Sequence, residues 1–343
     1  MRLPVGSARG HASPRNRFSS EARHHRKKAP GVGPRRQWKK AGGCCVSPLK
    51  FARCVGVAVL VLITIAVPAA AQENRSVRLR TLGPGDILYV LIGGGGNTLA
   101  LMRDDGVVVI DTKQPGWGVP IREAIEAATD RPVTTIINTH AHADHAGGNK
   151  DFPGMVEIVA HANAASAVGA TRTVTDKLTL LSGPDQIDLY YFGRGHTNGD
   201  LVVVFPQKRL AYLGDLFPSK SAPNVDAAAG GSVSALADTL RRVATEIKGV
   251  TRVVTGHPEG LADARDPAAT SVDISTPRMM RWSDVEEYAD FTRDFVDAVR
   301  KAKSAGKTAA DAAASLSLPD RYREYDMRNA LAAVEALYKE DAR

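Results

Sequence analysis

Cysteine is nearly absent from this 343-residue chain, and its three copies, Cys44, Cys45 and Cys54, all lie near the N-terminus. The rest of the chain can therefore form no disulfide bond and offers no thiolate as a metal ligand or nucleophile. Its stability must come from an ordinary hydrophobic core. The 272 residues that follow position 71 are enough to build one.

A long apolar run is also missing. The run from Cys54 to Val67 is shorter than the roughly 20 residues that a membrane-spanning helix needs. It follows Lys50 and Arg53 and precedes the small residues at 68–71, which is the pattern of a secretory signal peptide with an Ala-x-Ala cleavage site. We therefore predict that residues 1–71 are a basic leader and signal peptide, removed on export to the periplasm or medium. The protein would touch the membrane only transiently, through that peptide.

An excess of positive charge is missing from the remaining chain, although the whole sequence has a net charge of +8. The first 71 residues hold 14 of the 45 Lys and Arg but only one of the 37 Asp and Glu. The net charge of residues 72–343 is therefore negative, which argues against nucleic acid as a partner. Residues 1–45 are too long and too basic to begin a signal peptide, and our hypothesis is that translation starts near residue 46.

What the sequence does contain is a dense group of metal-ligand residues. His140, His142, Asp144 and His145 follow directly after the apolar run Val133–Ile137. Imidazole nitrogens and carboxylate oxygens hold Zn²⁺ at roughly 2.0–2.2 Å. A turn between a strand and a loop suits such ligands, because a rigid sheet positions them and solvent still reaches the metal.

Three further candidates occur in similar places along the chain. His196 lies in Gly-His-Thr, Asp215 in Leu-Gly-Asp and His257 in Thr-Gly-His, and each follows an apolar, strand-like run. Five of the six histidines after residue 71 thus occur at predicted strand ends, which predicts a metal site. The sixth, His161, is interpreted as structural.

These motifs resemble the metallo-β-lactamase superfamily over roughly residues 82–257. The resemblance rests on the HxHxDH element, the later Gly-His-Thr, Gly-Asp and Gly-His motifs, and Asp111 at the end of an apolar strand. It implies a four-layer αββα sandwich of the α/β class (α+β in some schemes). We predict a catalytic domain over residues 72–265 and a helical extension over residues 266–343, one helix of which opens with a capping box at Ser283.

The resemblance also implies a site for two zinc ions per chain, with iron or manganese as alternatives. Asp144 and Asp215 would take part in catalysis, and Asp111 would brace the metal loop. One ion would be bound by His140, His142 and His196, and the other by Asp144, His145 and His257, with Asp215 bridging both.

The implied activity is that of an exported hydrolase that uses zinc-bound hydroxide to cleave a C–O, C–N or C–S acyl bond. Its small-molecule substrate would be a β-lactam, lactone, ester or thioester. Classical β-lactamases carry Cys or Ser at the position of Asp215, whereas Asp is similar to glyoxalase II, lactonases and phosphodiesterases. Glyoxalase II, in turn, usually has His where this chain has Asp200. The alternatives are a glyoxalase II-like thioesterase, a non-haem iron oxidoreductase resembling persulfide dioxygenases, and a metal-stabilised binding protein.

Two features near the site allow more than one interpretation. The glycine run 93–96 joins two predicted strands and should lie at the same end of the sheet as Asp111, either as a flap over the substrate or as a flexible hairpin. Trp117, Phe152 and Phe217 lie in predicted loops near the ligands and could line the pocket.

Overall fold

The computed structural model describes residues 75–83, 85–258 and 279–342. The predicted leader and its cleavage site lie outside these residues, as does the start of the predicted C-terminal extension at 266–278. Within the described ranges, no helix is both long and apolar enough to cross a membrane.

The first of two sheets has seven strands in chain order. The first four strands form an antiparallel meander, and the last three continue parallel to the fourth. The predicted strand Val133–Ile137 is confirmed residue for residue. The strands are β1 (Arg78–Thr81), β2 (Leu88–Ile92), β3 (Thr98–Arg103), β4 (Gly106–Ile110), β5 (Val133–Ile137), β6 (Glu157–His161) and β7 (Arg172–Val174).

The second sheet has six strands, in the order β13-β12-β11-β10-β9-β8. Its neighbours are antiparallel except for β11 and β12, which run parallel. The strands are β8 (Lys177–Leu180), β9 (Ile187–Tyr190), β10 (Val202–Phe205), β11 (Leu210–Tyr212), β12 (Arg252–Val254) and β13 (Met280–Arg281).

The two sheets pack face to face around apolar side chains that alternate along their strands. Leu99 and Leu101 of β3 meet Val203 and Phe205 of β10 in this central cluster, and all four are buried. The helices cover the outer faces, so the predicted four-layer sandwich is confirmed. They are α1 (Gly118–Glu126), α2 (Ala143–Ala146), α3 (Ala165–Val168), α4 (Val233–Glu246), α5 (Trp282–Ser304), α6 (Ala309–Ala314) and α7 (Ala330–Glu340).

The last three helices form the predicted C-terminal appendage, which packs on α4 and the outer face of the second sheet. Tyr288, Phe291 and Phe295 recur at helical spacing on α5 and are buried in one cluster with residues of α4 and α7. The capping box predicted at Ser283 is wrong. The helix begins at Trp282, and the carboxylate of Asp284 accepts the backbone N–H of Arg281 at 2.8 Å, so Ser283 already lies in the first turn.

Candidate metal centre

All seven predicted ligands lie at one end of the sandwich, on the loops and short helical turns that connect its strands. His140, His142, Asp144 and His145 follow β5 in the first sheet, and three more ligands follow strands of the second sheet. Because β11 and β12 run parallel, the loops after them emerge at the same edge and bring Asp215 and His257 together. His196 lies on the loop that joins β9 to β10.

The first group of candidate ligands consists of His140, His142 and His196. His142 Nδ1 lies 3.1 Å from Nε2 of His140 and 2.9 Å from Nε2 of His196. Three imidazole nitrogens therefore converge on one small volume.

The second group consists of Asp144, His145 and His257. His257 Nε2 lies 3.4 Å from both Oδ2 of Asp144 and Nε2 of His145. Asp215 lies between the two groups, because its Oδ2 is 3.6 Å from Nε2 of His196 and 3.3 Å from Nε2 of His257. The structure thus brings the seven side chains into two adjoining groups around one carboxylate.

In two of the histidines, the hydrogen-bond partner of the outer ring nitrogen fixes the tautomer. It thereby determines which ring nitrogen can bind a cation. His196 Nδ1 lies 2.9 Å from the carbonyl oxygen of Asn224, which can only accept, so this nitrogen carries the hydrogen. His142 Nε2 likewise donates to the carboxylate of Asp226 at 3.0 Å. We assign these tautomers from the partners. The inward nitrogens of His142 and His196 are then bare lone pairs 2.9 Å apart, an arrangement that a cation between them would stabilise.

Asp111 braces the loop that carries the histidines. Its carboxylate accepts the backbone N–H of Thr139 at 2.8 Å and the Thr139 hydroxyl at 2.7 Å. It also accepts Nδ1–H of His145 at 2.8 Å and the hydroxyl of Tyr212 at 2.9 Å. Asp111 has a φ of 60°, a left-handed conformation that is uncommon for a residue with a side chain. The buried carboxylate thus ties the first sheet, the metal loop and the second sheet together.

The buried carboxylates set the charge of His145 when no cation is present. Burial alone would lower the pKa of His145, but Asp111 and Asp215 outweigh it and raise the pKa to about 10. Burial also opposes ionisation of Asp215, yet hydrogen bonds from His145 and His257 hold the pKa of that carboxyl well below its usual range. A proton on His145 therefore compensates Asp215 until a cation replaces it.

Solvent reaches the site at three of the seven candidate ligands. His142, Asp144 and His257 each expose about a quarter of their side chain, at 28%, 26% and 27%. His145 is fully buried and Asp215 exposes only 7%. A substrate must therefore approach over the three half-buried residues.

Several residues near the site had no recognisable sequence signal. Asp226 lies in an irregular loop 84 positions from His142, and no periodicity or motif connects the two.

The three aromatic residues that could line the pocket differ in their surroundings. Trp117 is half-buried at the start of α1, against Gly94. Phe152 and Phe217, which could have lined the pocket, are instead buried in the hydrophobic clusters beneath the helices.

The glycine run and Asp200 have defined places beside the ligands. The glycine run lies at the metal end of the sheet, as expected from the antiparallel meander, and Gly96 contacts Asp144. Asp200 is buried and accepts both the N–H and the hydroxyl of Thr197, so it shapes the turn that carries His196. Burial raises the pKa of Asp200, and the nearby His196 and the hydrogen bonds from Thr197 act against that rise.

Comparison with known proteins places this architecture in a family. The metallo-beta-lactamase superfamily model matches residues 91–257, which span β2 to the His257 loop. The chain belongs to the metallo-β-lactamase superfamily. Its His and Asp clusters are suited to metal binding.

The chain matches only part of the length of each of these relatives. The chain is 33% identical over 141 residues to the 2,4-dinitroanisole O-demethylase subunit alpha of Nocardioides sp. (strain JS1661), covering 37% of this chain and 43% of the relative. It is 29% identical over 178 residues to the metallo-beta-lactamase type 2 of Bacillus sp. (strain 170), covering 47% of this chain and 66% of that protein. A solved double mutant of a sec-alkyl sulfatase has a similar fold, with a TM-score of 0.61 and 13% identity, covering 77% of this chain and 50% of the sulfatase.

Proposed function

We propose that this chain is a zinc hydrolase that binds two cations and cleaves an acyl bond in a small-molecule substrate, with cyclic amides and lactones as the favoured class. The position of Asp215 carries the proposal. Its Oδ2 faces His196 of the first group at 3.6 Å and His257 of the second at 3.3 Å. One carboxylate is therefore shared by two ligand groups.

The donor set fits zinc. The inward atoms are imidazole nitrogens and carboxylate oxygens, and the outer nitrogens of His142 and His196 are already engaged by Asp226 and Asn224. Asp215 Oδ1 is buried and accepts no hydrogen bond from any described residue apart from the ion-pair contact with His145 at 3.2 Å. Zinc bound there would supply a Lewis acid for a substrate carbonyl and would lower the pKa of water to about 7.

The candidate ligands differ in their exposure to solvent, so that some form a buried wall of the site and others form its solvent-exposed mouth. His145 and Asp215 form the buried wall, where water cannot compete for their lone pairs. Asp144 lies at the boundary with solvent, and its Oδ2 is 3.4 Å from His257 Nε2. We assign to Asp144 Oδ2 the proton that leaves the attacking water, because it is the partly exposed carboxylate oxygen of the two groups.

The substrate class is proposed from two considerations. Similarity to a metallo-beta-lactamase type 2 favours a cyclic amide. Asp215 at the position where classical β-lactamases carry Cys or Ser favours a lactone, ester or thioester. The mouth formed by His142, Asp144 and His257 would receive either kind of carbonyl.

The test uses the full chain, purified with zinc and assayed on a chromogenic cephalosporin, an aromatic lactone and an acyl thioester. We expect turnover that a chelator abolishes, that zinc restores and that His142→Ala lacks. Lys150→Ala is the matched control, because Lys150 is exposed close to the metal loop and makes no hydrogen bond or ion pair with a described residue. Folded, zinc-loaded protein that turns over none of the three would refute the hydrolase proposal. Stoichiometric iron in natively expressed protein would refute zinc and favour an oxidoreductase.

We also propose that the protein is exported, from the basic and apolar pattern that ends at the Ala-x-Ala site before Gln72. N-terminal sequencing of protein from the native host should begin near Gln72. Peptides from residues 6–35 in the precursor would contradict a translation start near residue 46.

A further inference from the structure

Lys113 is a fully buried lysine that the proposed chemistry does not use. Its ammonium group donates to the backbone carbonyl of Gly96 at 2.6 Å. Lysine is almost never fully buried without a partner that compensates its charge. Burial lowers the pKa of Lys113 to about 7, although Asp111 acts in the opposite direction. Lys113 also has a φ of 65°, and such strained conformations cluster at functional sites.

The residue that Lys113 holds, Gly96, lies directly against the metal loop. The N–H of Gly96 donates to the backbone carbonyl of Asp144 at 3.0 Å. A Cβ at position 96 would overlap the ring of His145, and one at position 95 would lie 3.0 Å from Cβ of Asp144. Glycine is therefore required at position 96, because only a bare backbone can lie this close to two candidate ligands.

The next residue, Asn97, extends the contact to the third ligand of the second group. Its backbone N–H donates to the carbonyl of Gly256 at 2.7 Å, and its side-chain amide donates to the carbonyl of Thr255 at 2.9 Å. These two residues directly precede His257. The hydroxyl oxygen of Tyr212 lies 2.8 Å from the carbonyl oxygen of Asn97, and its one hydrogen is shared between that carbonyl and the carboxylate of Asp111. This contact ties the segment to the second sheet.

Residues 95–97, which we call the glycine bracket, thus contact both chain segments that carry the second group, one with Asp144 and His145 and the other with His257. In the described part of the chain, no side-chain or loop hydrogen bond of the glycine bracket reaches His140, His142 or His196. Those histidines are oriented by other residues. Their partners are Thr139, Asp226 and Asn224.

We propose that Lys113 is a positioning residue that fixes the glycine bracket against Asp144, His145 and His257 and thereby sets the cation affinity of that group alone. The proposal rests on the two-cation site proposed above. Without the ammonium group, the carbonyl of Gly96 loses its donor and the bracket is free to shift away from the metal loop. The three ligands would then have to be ordered by the cation itself, which weakens its binding.

The experiment is a calorimetric titration of chelator-stripped full-length protein with Zn²⁺, comparing wild type with Lys113→Met. Methionine fills a similar volume without a donor, and a thioether is cheaper to bury than an amine, so the fold should be retained. We expect wild type to bind two ions. In Lys113→Met, we expect one binding event to weaken by about 10–100-fold while the other stays unchanged.

Lys208→Met is the matched control. Lys208 is mostly buried and pairs with Asp86 at 3.1 Å, in the turn between β10 and β11 at the end of the sheet away from the ligand loops. Its loss should lower stability and leave both zinc affinities unchanged. Should Lys113→Met fail to fold, Asn97→Ala removes the contact with Thr255 and should weaken the same single event.

The outcomes separate the two proposals. Wild type that binds fewer than two ions would refute the two-cation site, and the role of Lys113 with it. Wild type that binds two ions, with a folded Lys113→Met variant that loses neither affinity or loses both equally, would refute the role of Lys113 and leave the two-cation site standing.

Discussion

Replacing Glu340 should destabilise the protein, because this residue of the last helix caps the start of a helix 107 positions earlier. Glu340 Oε1 accepts the backbone N–H of Val233 at 2.7 Å. Its Oε2 accepts the Ser232 hydroxyl at 2.9 Å and the backbone N–H of Ser234 at 3.1 Å. The Ser232 hydroxyl in turn accepts the N–H of Ala235, so two side chains satisfy the first turn of α4.

The expected loss follows from these three hydrogen bonds. Removing a side-chain cap costs about 0.5–2 kcal/mol. A carboxylate near a helix N-terminus adds about 0.3–1 kcal/mol through the helix dipole. Since Glu340 is half-buried, we expect Glu340→Ala to lower the free energy of unfolding by about 2 kcal/mol. Glu340→Gln keeps one acceptor without the charge and should lose about half of that.

The assay is urea unfolding followed by circular dichroism, with a chelator present so that bound metal does not mask the change. Glu335→Ala is the matched control, since Glu335 is exposed on the same helix and makes no hydrogen bond or ion pair with a described residue. It should stay within about 0.5 kcal/mol of wild type. A Glu340→Ala variant as stable as Glu335→Ala would refute the reasoning.

Three further outcomes are expected around the metal loop. Gly148→Ala should destabilise the chain by about 1–3 kcal/mol in urea unfolding, because the new Cβ would overlap a backbone carbonyl, whereas Gly154→Ala meets nothing within 4 Å and should be neutral. Asp226→Asn should weaken one of the two zinc-binding events seen by calorimetry by about 10–100-fold. Since Oδ1 of Asp226 already accepts two backbone N–H groups, the new amide N–H₂ would face the N–H of His142. Unchanged zinc binding would contradict this. Zinc binding at pH 8 should release a proton from His145, whose pKa of about 10 keeps it charged in the metal-free protein. Binding heats that do not depend on the ionisation enthalpy of the buffer would exclude that release.

Local pattern was sufficient for much of the architecture. The apolar run Val133–Ile137 is short and bounded, and the strand occupies those residues. Helix α4 spans Val233–Glu246, where Leu236, Leu240 and Val243 recur at helical spacing after the cap Ser232. Such features depend on neighbours within one or two turns, so a single sequence contains the information.

The features that escaped prediction depend on residues far apart in the chain. Asp226 orients His142 across 84 positions, and Lys113 reaches a carbonyl 17 positions away through a strained backbone. No periodicity records such contacts. The error at Ser283 has a different cause. Two acidic residues follow within three positions, and either could accept a backbone N–H at the start of the helix; Asp284 does so, from Arg281. Phe217 was misplaced because it follows a candidate ligand in a short turn, yet the appendage covers it.

The distribution of ligands over two sheets has a mechanical consequence. His140 to His145 follow the first sheet, and His196, Asp215 and His257 follow strands of the second, so a cation bound by His145 and His257 would cross-link positions 112 residues apart. This part of the chain has no cysteine and cannot make such a link covalently. A metal cross-link differs from a disulfide in being adjustable, since its contribution to stability grows with the free metal concentration as RT ln(1 + [L]/Kd). The rigidity of the sandwich at this end would then follow the zinc supply of its surroundings.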